Sequence, residues 1–383
     1  MKILLVHNAY QQRGGEDAVV ESEAALLRAH GHEVVEYLRH NDNIGGMGRI
    51  RVAAGALWSQ QTVADLGRVI SSSGVDLMHV HNTFPLISPS AYWAAASAGV
   101  PVVQTLHNFR LICPQAMLLR DGKVCESCVG RAPWAGVAHA CYRGSRAQTG
   151  TLAAMLVLHR GLGTWARKVT RYIALNDFCR DKFIQGGLPE AKISIKPNFV
   201  EDPSLIPRDR QGLLFVGRLS PEKGVAVLAE ATHALPMGAL RVAGEGPARQ
   251  LLQACTGASL LGSLSGPAVV REMSGAVALV LPSIWYENFP RTLVEAYACG
   301  LPVIASRIGA LAHIVKDGVT GLLFDPGNAA DLAAKMHWAL ANPEKLAVMG
   351  RNARLEYETC YSPEVNYVQL MDIYQQAIDA GPT

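Results

Sequence analysis

No apolar run in the sequence approaches the roughly 18 residues that a membrane-spanning helix needs. The longest candidates, LAAMLVL and AVALVL, are core length. The first residues, MKILLVHNAY, hold a four-residue apolar run, short of the roughly 7–15 residues of a signal-peptide core. They read as a first strand in a cytoplasmic protein. Charge of one sign is not in excess either: 35 basic against 32 acidic side chains leave +3, which argues against nucleic acid as a partner of the whole chain. No G-x-G-x-x-G follows a strand, so a NAD-dependent dehydrogenase is poorly supported. No Asp-x-Asp triplet occurs anywhere, and with it goes the usual means of holding a divalent ion on a diphosphate. One long segment lacks acids altogether: Ser127–Asn176 has no Asp or Glu but carries Arg131, Arg143, Arg146, Arg160, Arg167, Lys168 and Arg171.

What is present is 49% apolar and 17% charged over 383 residues, the profile of a globular protein with two domains. Short β-rich runs alternate with helical patterns throughout, which points to parallel sheets covered by helices. Strands are expected at KILLV, EVVEYL, DLMHV, PVVQTL, RYIAL and ISIKP, then at GLLFVG, ALRVAG, ASLLG, AVALVLP, PVIAS and GLLFD. Helical patterns fall near 17–29, 60–73, 88–98, 145–168 and 177–186, with three more near 328–341, 343–358 and 363–379. The fold class is α/β, two doubly wound Rossmann-like domains facing across a cleft. The first spans 1–197 and the second 212–362, with the proline-punctuated stretch NFVEDPSLIPRDRQ, 198–211, as linker.

Ligands of open parallel sheets bind beyond the carboxyl ends of the strands. The first domain places the same dipeptide at three such ends: His7-Asn8, His81-Asn82 and His107-Asn108. A loop histidine is usually structural, but three pairs on one rim are expected to line the cleft. Gly14-Gly15 precedes a helix whose N-terminal amides favour an anion. In the second domain GLLFVGRLSPEKG brings Arg218 and Lys223 to one turn after a strand, where a planar fork and a point charge can converge on a phosphate. Gly244-Glu245-Gly246-Pro247 forms a small-residue turn on which a flat base or a sugar can lie. SIWYENFPRTLVEAYACG sets Glu287 and Glu295 eight positions apart around a helix start at Pro290. Two such carboxylates can accept hydrogen bonds from neutral hydroxyls while the helix amides take a phosphate; as a bland alternative they are acids that favour the helix dipole.

Taken in order, the Gly-Gly loop, LHN, PNFVE, GRLSPEKG, GEGP, E-x7-E, GLPVIAS and DGVTGLLFDPGN resemble the retaining glycosyltransferases of family 4, which adopt the GT-B architecture. The resemblance spans nearly the whole chain. It implies a nucleotide-sugar donor, with UDP ahead of GDP on family frequency, and a glycan or lipid-linked acceptor in polysaccharide or cell-surface glycan biosynthesis. It implies no metal and no further cofactor in catalysis. By similarity Arg218 and Lys223 bind the diphosphate, Glu287 the transferred sugar and Glu295 the ribose. Asn288, Phe289 and Pro290 approach the sugar, and His107 lies near sugar and acceptor. Gly14 and Gly15, Asn198, Gly217, Gly244 and Glu245 complete the donor site, and the closing helix, 363–383, packs back on the first domain. Asn288 stands where many relatives have glycine, so the sugar pocket differs in detail. A GT-B-shaped epimerase and a non-catalytic sugar-nucleotide-binding subunit are the competing functions; the intact charged residues favour transfer.

Two features lie outside that pattern. Cys113, Cys125, Cys128 and Cys141, spaced C-x11-C-x2-C-x12-C, carry the ligand types of a structural zinc site, with unligated cysteines as the alternative. The acid-free segment 127–176 is expected to touch the inner face of an anionic membrane, against a merely solvated helix face.

Overall fold

The computed structural model describes residues 1–12, 14–203 and 208–382. The chain forms two compact units, one made of 1–118, 125–197 and 366–383, the other of 119–124 and 198–365. In the first, β1 (Lys2–Ala9), β2 (Glu33–His40), β3 (Leu77–Asn82) and β4 (Val102–Thr105) join two later strands in one parallel sheet. Those strands are β7 (Arg171–Ala174) and β8 (Ile193–Ile195); they are preceded in sequence by a two-residue antiparallel pair, β5 (Leu119–Arg120) and β6 (Lys123–Val124), which clusters with the second unit. The sheet order is β2-β1-β3-β4-β7-β8. The second unit holds β9 (Leu213–Val216), β10 (Leu240–Ala243), β11 (Ala258–Gly262), β12 (Ala278–Leu281), β13 (Val303–Ser306) and β14 (Gly321–Phe324). They pair in parallel in the order β11-β10-β9-β12-β13-β14. Both are doubly wound Rossmann-like sheets.

The inner strands form from short runs rich in apolar and β-branched residues, while the edge strand β2, EVVEYLRH, mixes charged and apolar residues and is mostly unburied. All six residues of β3 and all four of β12 are buried, which suits a strand covered on both faces rather than one. The order of each sheet reverses once, between β1 and β3 and between β9 and β12. In open α/β sheets such a reversal leaves a crevice at the strand ends, where ligands sit.

The core of the first unit stacks Ile3, Leu5, Leu77, Val103 and Ile173 of its strands on Leu370, Ile373, Tyr374 and Ala377 of the last helix, Pro363–Ala380. Lys196, just past β8, donates to Asn366 of that helix across 170 positions of sequence. The stretch read as a linker is instead pinned to the second unit at both ends. The Tyr357 hydroxyl donates to the Val200 carbonyl at 2.9 Å, Arg354 grips Asp202 through two 2.7 Å bonds, and Arg210 donates to the Cys299 carbonyl at 2.7 Å. Residues 204–207 of that stretch lie outside the described residues. The helix expected over 145–168 is two, Arg146–Gly161 and Thr164–Arg167, broken at Gly163 with φ +68°. A helix at Arg49–Leu57 was not expected.

Candidate functional site

Three neighbouring strands of the second unit, β10, β9 and β12, end on one rim, and their loops are tied together. Gly217 N–H donates to the Ala243 carbonyl at 3.0 Å, Leu219 N–H to Glu245 at 2.9 Å, and Ile284 N–H to Glu222 at 3.0 Å. Two glycines make this approach possible. A Cβ on Gly244 would lie 1.9 Å from the Gly217 carbonyl oxygen, and one on Gly224 would lie 1.8 Å from that of Pro282, with φ +72° besides. The backbones of these loops touch where any side chain would part them.

On this frame Lys223 Nζ donates to Glu287 Oε1 at 2.6 Å and Ser283 Oγ to the same oxygen at 2.7 Å. The carboxylate is 6% exposed, so both bonds are needed to offset its lost hydration. The ammonium also lies 5.8 Å from the centre of the Trp285 ring. Arg218, on the same loop, is exposed; its carbonyl accepts from Ser220 N–H at 3.0 Å, and its guanidinium has no hydrogen bond or ion pair among the described residues. Asn288 and Pro290 are buried, Phe289 is half-buried, and its ring centre is 5.8 Å from that of Tyr361. The helix Arg291–Ala298 starts after Pro290 with no side-chain cap and no acid in its first turn, leaving its leading amides for a ligand. Glu295 does not join Glu287. Its carboxylate is held by Arg291 at 2.9 Å, one turn back on its own helix. Glu245 is exposed and paired with Arg249. Asn198 is buried, and its Oδ1 has no hydrogen bond.

In the first unit the three His-Asn pairs do meet. His7, His81 and His107 are 2%, 4% and 8% exposed; the ring centres of His81 and His107 are 5.2 Å apart, those of His7 and His81 6.4 Å. His7 Nε2 pairs with Asp17 at 2.8 Å, and His81 Nδ1 lies 2.9 Å from His107 Nε2. A pocket opens among His81, Asn82, Thr105, His107, Asn108 and Arg110. The Arg110 guanidinium lies against both Phe84 and Tyr142, 4.8 and 5.2 Å from their ring centres, which are themselves 6.0 Å apart. Asn108 donates to Glu16 at 2.7 Å, and burial pushes the Glu16 carboxyl up despite that bond and one from Tyr10.

The helix Gly15–Ala29 answers its own N-terminus. Gly14 N–H donates to Asp17 Oδ2 at 2.7 Å, and Glu16 and Asp17 occupy the first turn. An anion approaching Gly15 would meet two carboxyl groups, so the phosphate contact expected at Gly14-Gly15 has unfavourable electrostatics in this structure.

Two residues that the sequence reading passed over lie beneath the histidines. Glu23 and Lys196, each 1% exposed, pair at 3.1 Å. The signal was available for Glu23: Val19, Val20, Leu26 and Leu27, its helical neighbours at three and four positions on either side, are all buried. Burial alone would raise the Glu23 carboxyl, but the pull of Lys196 and His79 and bonds from His79 and His81 hold it well below the usual range. Among the described residues, Glu23, His79 and His81 form the one group with metal-ligand spacing. The Lys196 ammonium at 3.1 Å already supplies that carboxylate with a cation.

The cysteines do not form the tetrahedral arrangement read from their spacing. Thiolates on one zinc stand about 3.8 Å apart, given Zn–S bonds of ~2.3 Å, and no three of these sulfurs lie within 4.8 Å of one another. The segment is shaped instead by backbone bonds, from Cys125 N–H to Leu118 and from Cys141 N–H to Gly136. Cys128 is buried, and burial pushes its thiol up. Of the basic residues, Arg160 is withdrawn from the surface, donating to the carbonyls of Arg131 at 2.7 Å and Leu111 at 3.1 Å. Arg131, Arg143, Arg146 and Arg167 are exposed, as are Val157, Leu158 and Leu162. Among the described residues no helix is long and apolar enough to cross a membrane.

Residues 14–198 match the family described as glycosyl transferase 4-like domain, and 199–356 match glycosyl transferases group 1. The chain belongs to the family 4 glycosyltransferases. It is 32% identical over 152 residues to the sulfoquinovosyl transferase of Arabidopsis thaliana, covering 38% of this chain and 30% of that one. It is 29% identical over 240 residues to the phosphatidyl-myo-inositol mannosyltransferase of Mycobacterium leprae, covering 57% and 63%. These curated relatives are thus matched over 30% and 63% of their length, under two thirds in both cases. Among solved structures, sucrose-phosphate synthase from Thermosynechococcus elongatus superposes with a TM-score of 0.71 at 19% identity, over 99% of both chains. Anabaena HepE in complex with UDP and glucose gives 0.68 at 17%, over 98% of this chain and 99% of that one. These neighbours establish the GT-B fold.

Proposed function

We propose that the protein is a hexosyltransferase that moves a hexose from a nucleoside-diphosphate sugar to a glycan or lipid-linked acceptor with retained anomeric configuration. The observation that carries this reading is the pair of half-buried Lys223 and buried Glu287 beside the Arg218 guanidinium, which has no partner among the described residues, at the reversal point between β9 and β12. Both bonds to Glu287 fall on Oε1, leaving Oε2 for a hydroxyl of the sugar. Lys223 has protons to spare for a phosphate oxygen, and Arg218 offers a free fork for the other. Glu295 takes the ribose by exchanging its bond with Arg291. UDP is preferred over GDP, and the UDP complexes of HepE support that choice.

In the transfer, the bond from the anomeric carbon to the phosphate oxygen breaks through an oxocarbenium-like centre. The two cations stabilise the charge growing on the leaving diphosphate, and no metal ion is needed for that role. The acceptor oxygen bonds to the same face of the carbon, and its proton passes to the departing phosphate oxygen. The exposed arginines and leucines of the acid-free segment hold the enzyme on an anionic membrane, where a lipid-linked acceptor would be found.

Thermal-shift titration with UDP, GDP and their sugars tests the donor. A ligand at a hundred times its dissociation constant stabilises by about 2.7 kcal/mol. Lys223→Ala is expected to remove the shift and to lower transfer on the order of 10²–10³-fold. A folded Lys223→Ala protein that retains both would overturn the proposal.

A further inference from the structure

His107 touches no carboxylate, yet its ring is fixed from behind by a line of buried groups. Lys196 Nζ donates to Glu23 Oε2 at 3.1 Å and to Asn366 Oδ1 at 2.9 Å. Glu23 Oε1 stands 2.9 Å from His79 Nδ1 and 3.4 Å from His81 Nε2, and His81 Nε2 has no other partner among the described residues. His81 Nδ1 stands 2.9 Å from His107 Nε2. The remaining groups that face this line are His79, which lies 2.9 Å from Glu23 Oε1 and bonds Tyr374 and Thr105, and the His7–Asp17 pair.

A bare imidazole nitrogen at His81 Nε2 would set its lone pair against a carboxylate oxygen with no water between. A proton there gives His81 Nε2 its partner, on a carboxylate oxygen with lone pairs for both His79 and His81. Neutral His81 then has a bare Nδ1, which can only accept, so His107 Nε2 must donate. Neutral His107 is left with a bare Nδ1. Neutrality is favoured for both rings: burial and then the neighbouring His79 pull His81 down to about 3, and burial and then His81 pull His107 well below its ordinary value.

We propose that Glu23 and His81 are positioning residues that lock His107 in one tautomer, protonated at Nε2 and bare at Nδ1. In that state His107 accepts a hydrogen bond from a hydroxyl and cannot donate a proton to it. This deepens the transferase reading, in which His107 serves the sugar, by making it an acceptor for a sugar hydroxyl and not a general acid. The second-row carboxylate acts as it does behind metal-bound or catalytic histidines, by choosing which nitrogen carries the proton.

The test needs no substrate, so its outcome is separate from that of the transferase reading. Protein labelled with ¹⁵N at histidine is examined by long-range nitrogen–proton NMR, with His107→Phe to assign the ring. The wild-type protein is expected to show His107 Nδ1 in the bare-nitrogen range and Nε2 in the protonated range, unchanged between about pH 5.5 and about pH 8, where an ordinary histidine titrates near 6.5. Glu23→Gln, which offers His81 a donor as well as an acceptor, is expected to draw the two His107 nitrogens toward an average, and His81→Phe to do the same. A wild-type His107 protonated at Nδ1, a ring that titrates near its ordinary value, or a tautomer untouched in either folded variant would overturn the proposal. The wild-type spectrum decides the first two even if both variants fail to fold.

Discussion

Lys196→Met tests the idea that the first unit is closed around a buried charge pair. Lys196 and Glu23 are each 1% exposed and 3.1 Å apart, and the ammonium also binds Asn366 of the last helix. Removing one partner of a buried pair strands the other charge, at about 3–5 kcal/mol. For a unit of some 200 residues each kcal/mol moves the melting temperature by about 2–4 °C, so a loss of roughly 6–20 °C is expected by differential scanning calorimetry. The pH dependence gives the sign. In the wild-type protein the Glu23 carboxyl is held below its unfolded value, so its contribution is present above the unfolded pKa and fades as pH falls through the folded one. In Lys196→Met, burial raises that carboxyl instead. The cost is then largest at neutral pH and shrinks as acid protonates Glu23. Adding Glu23→Leu should restore part of the loss, with a coupling energy of about 1–3 kcal/mol in the double-mutant cycle. A single variant that melts within 2 °C of wild type, or a loss that grows toward acid pH, would refute the reasoning.

Gly224→Ala forces a Cβ to within 1.8 Å of the Pro282 carbonyl oxygen at a left-handed backbone position. It is expected to cost more than about 3 kcal/mol and to abolish nucleotide binding, read by urea denaturation and by UDP titration; normal stability with normal affinity would contradict the packing described here. Changing Arg143, Arg146 and Arg167 together to Glu leaves both cores untouched, since all three are exposed. Sedimentation with anionic vesicles is expected to fall at least tenfold, at about 1 kcal/mol per basic residue near the surface. Unchanged co-sedimentation disproves the membrane contact.

The central strands were legible because parallel strands covered on both faces need apolar runs, as in β12 and β13, and the edge strand β2 because its valines and tyrosine favour strand. Helix ends were legible where serine or glycine marks them, as at Ser59 and Gly74, which cap the helix Gln60–Ser73. The break at Gly163 was hidden in an apolar pattern that continues across it. The docking of Val200, Asp202 and Arg210 was hidden because their partners, Tyr357, Arg354 and Cys299, lie 89–157 residues away. At the site, local spacing brought out Lys223 and Glu287, whose loops leave adjacent strands. It paired Glu287 with Glu295 by helical geometry, but the nearer Arg291 claims Glu295. Lys196 gave no sign at all, because a lysine before the closing proline of the run ISIKP looks like an ordinary strand terminus.

The last helix also sets a schedule. Strands β1, β3, β4 and β7 leave the ribosome long before Leu370, Ile373 and Tyr374 exist to cover them. At 5–20 residues per second the roughly 170 positions from Lys196 to Asn366 take on the order of 10–30 s to make. During that interval the first sheet stands with one greasy flank bare and an ammonium still short of its amide partner, a nascent state that a chaperone can recognise and that a chain cut before residue 366 would never leave.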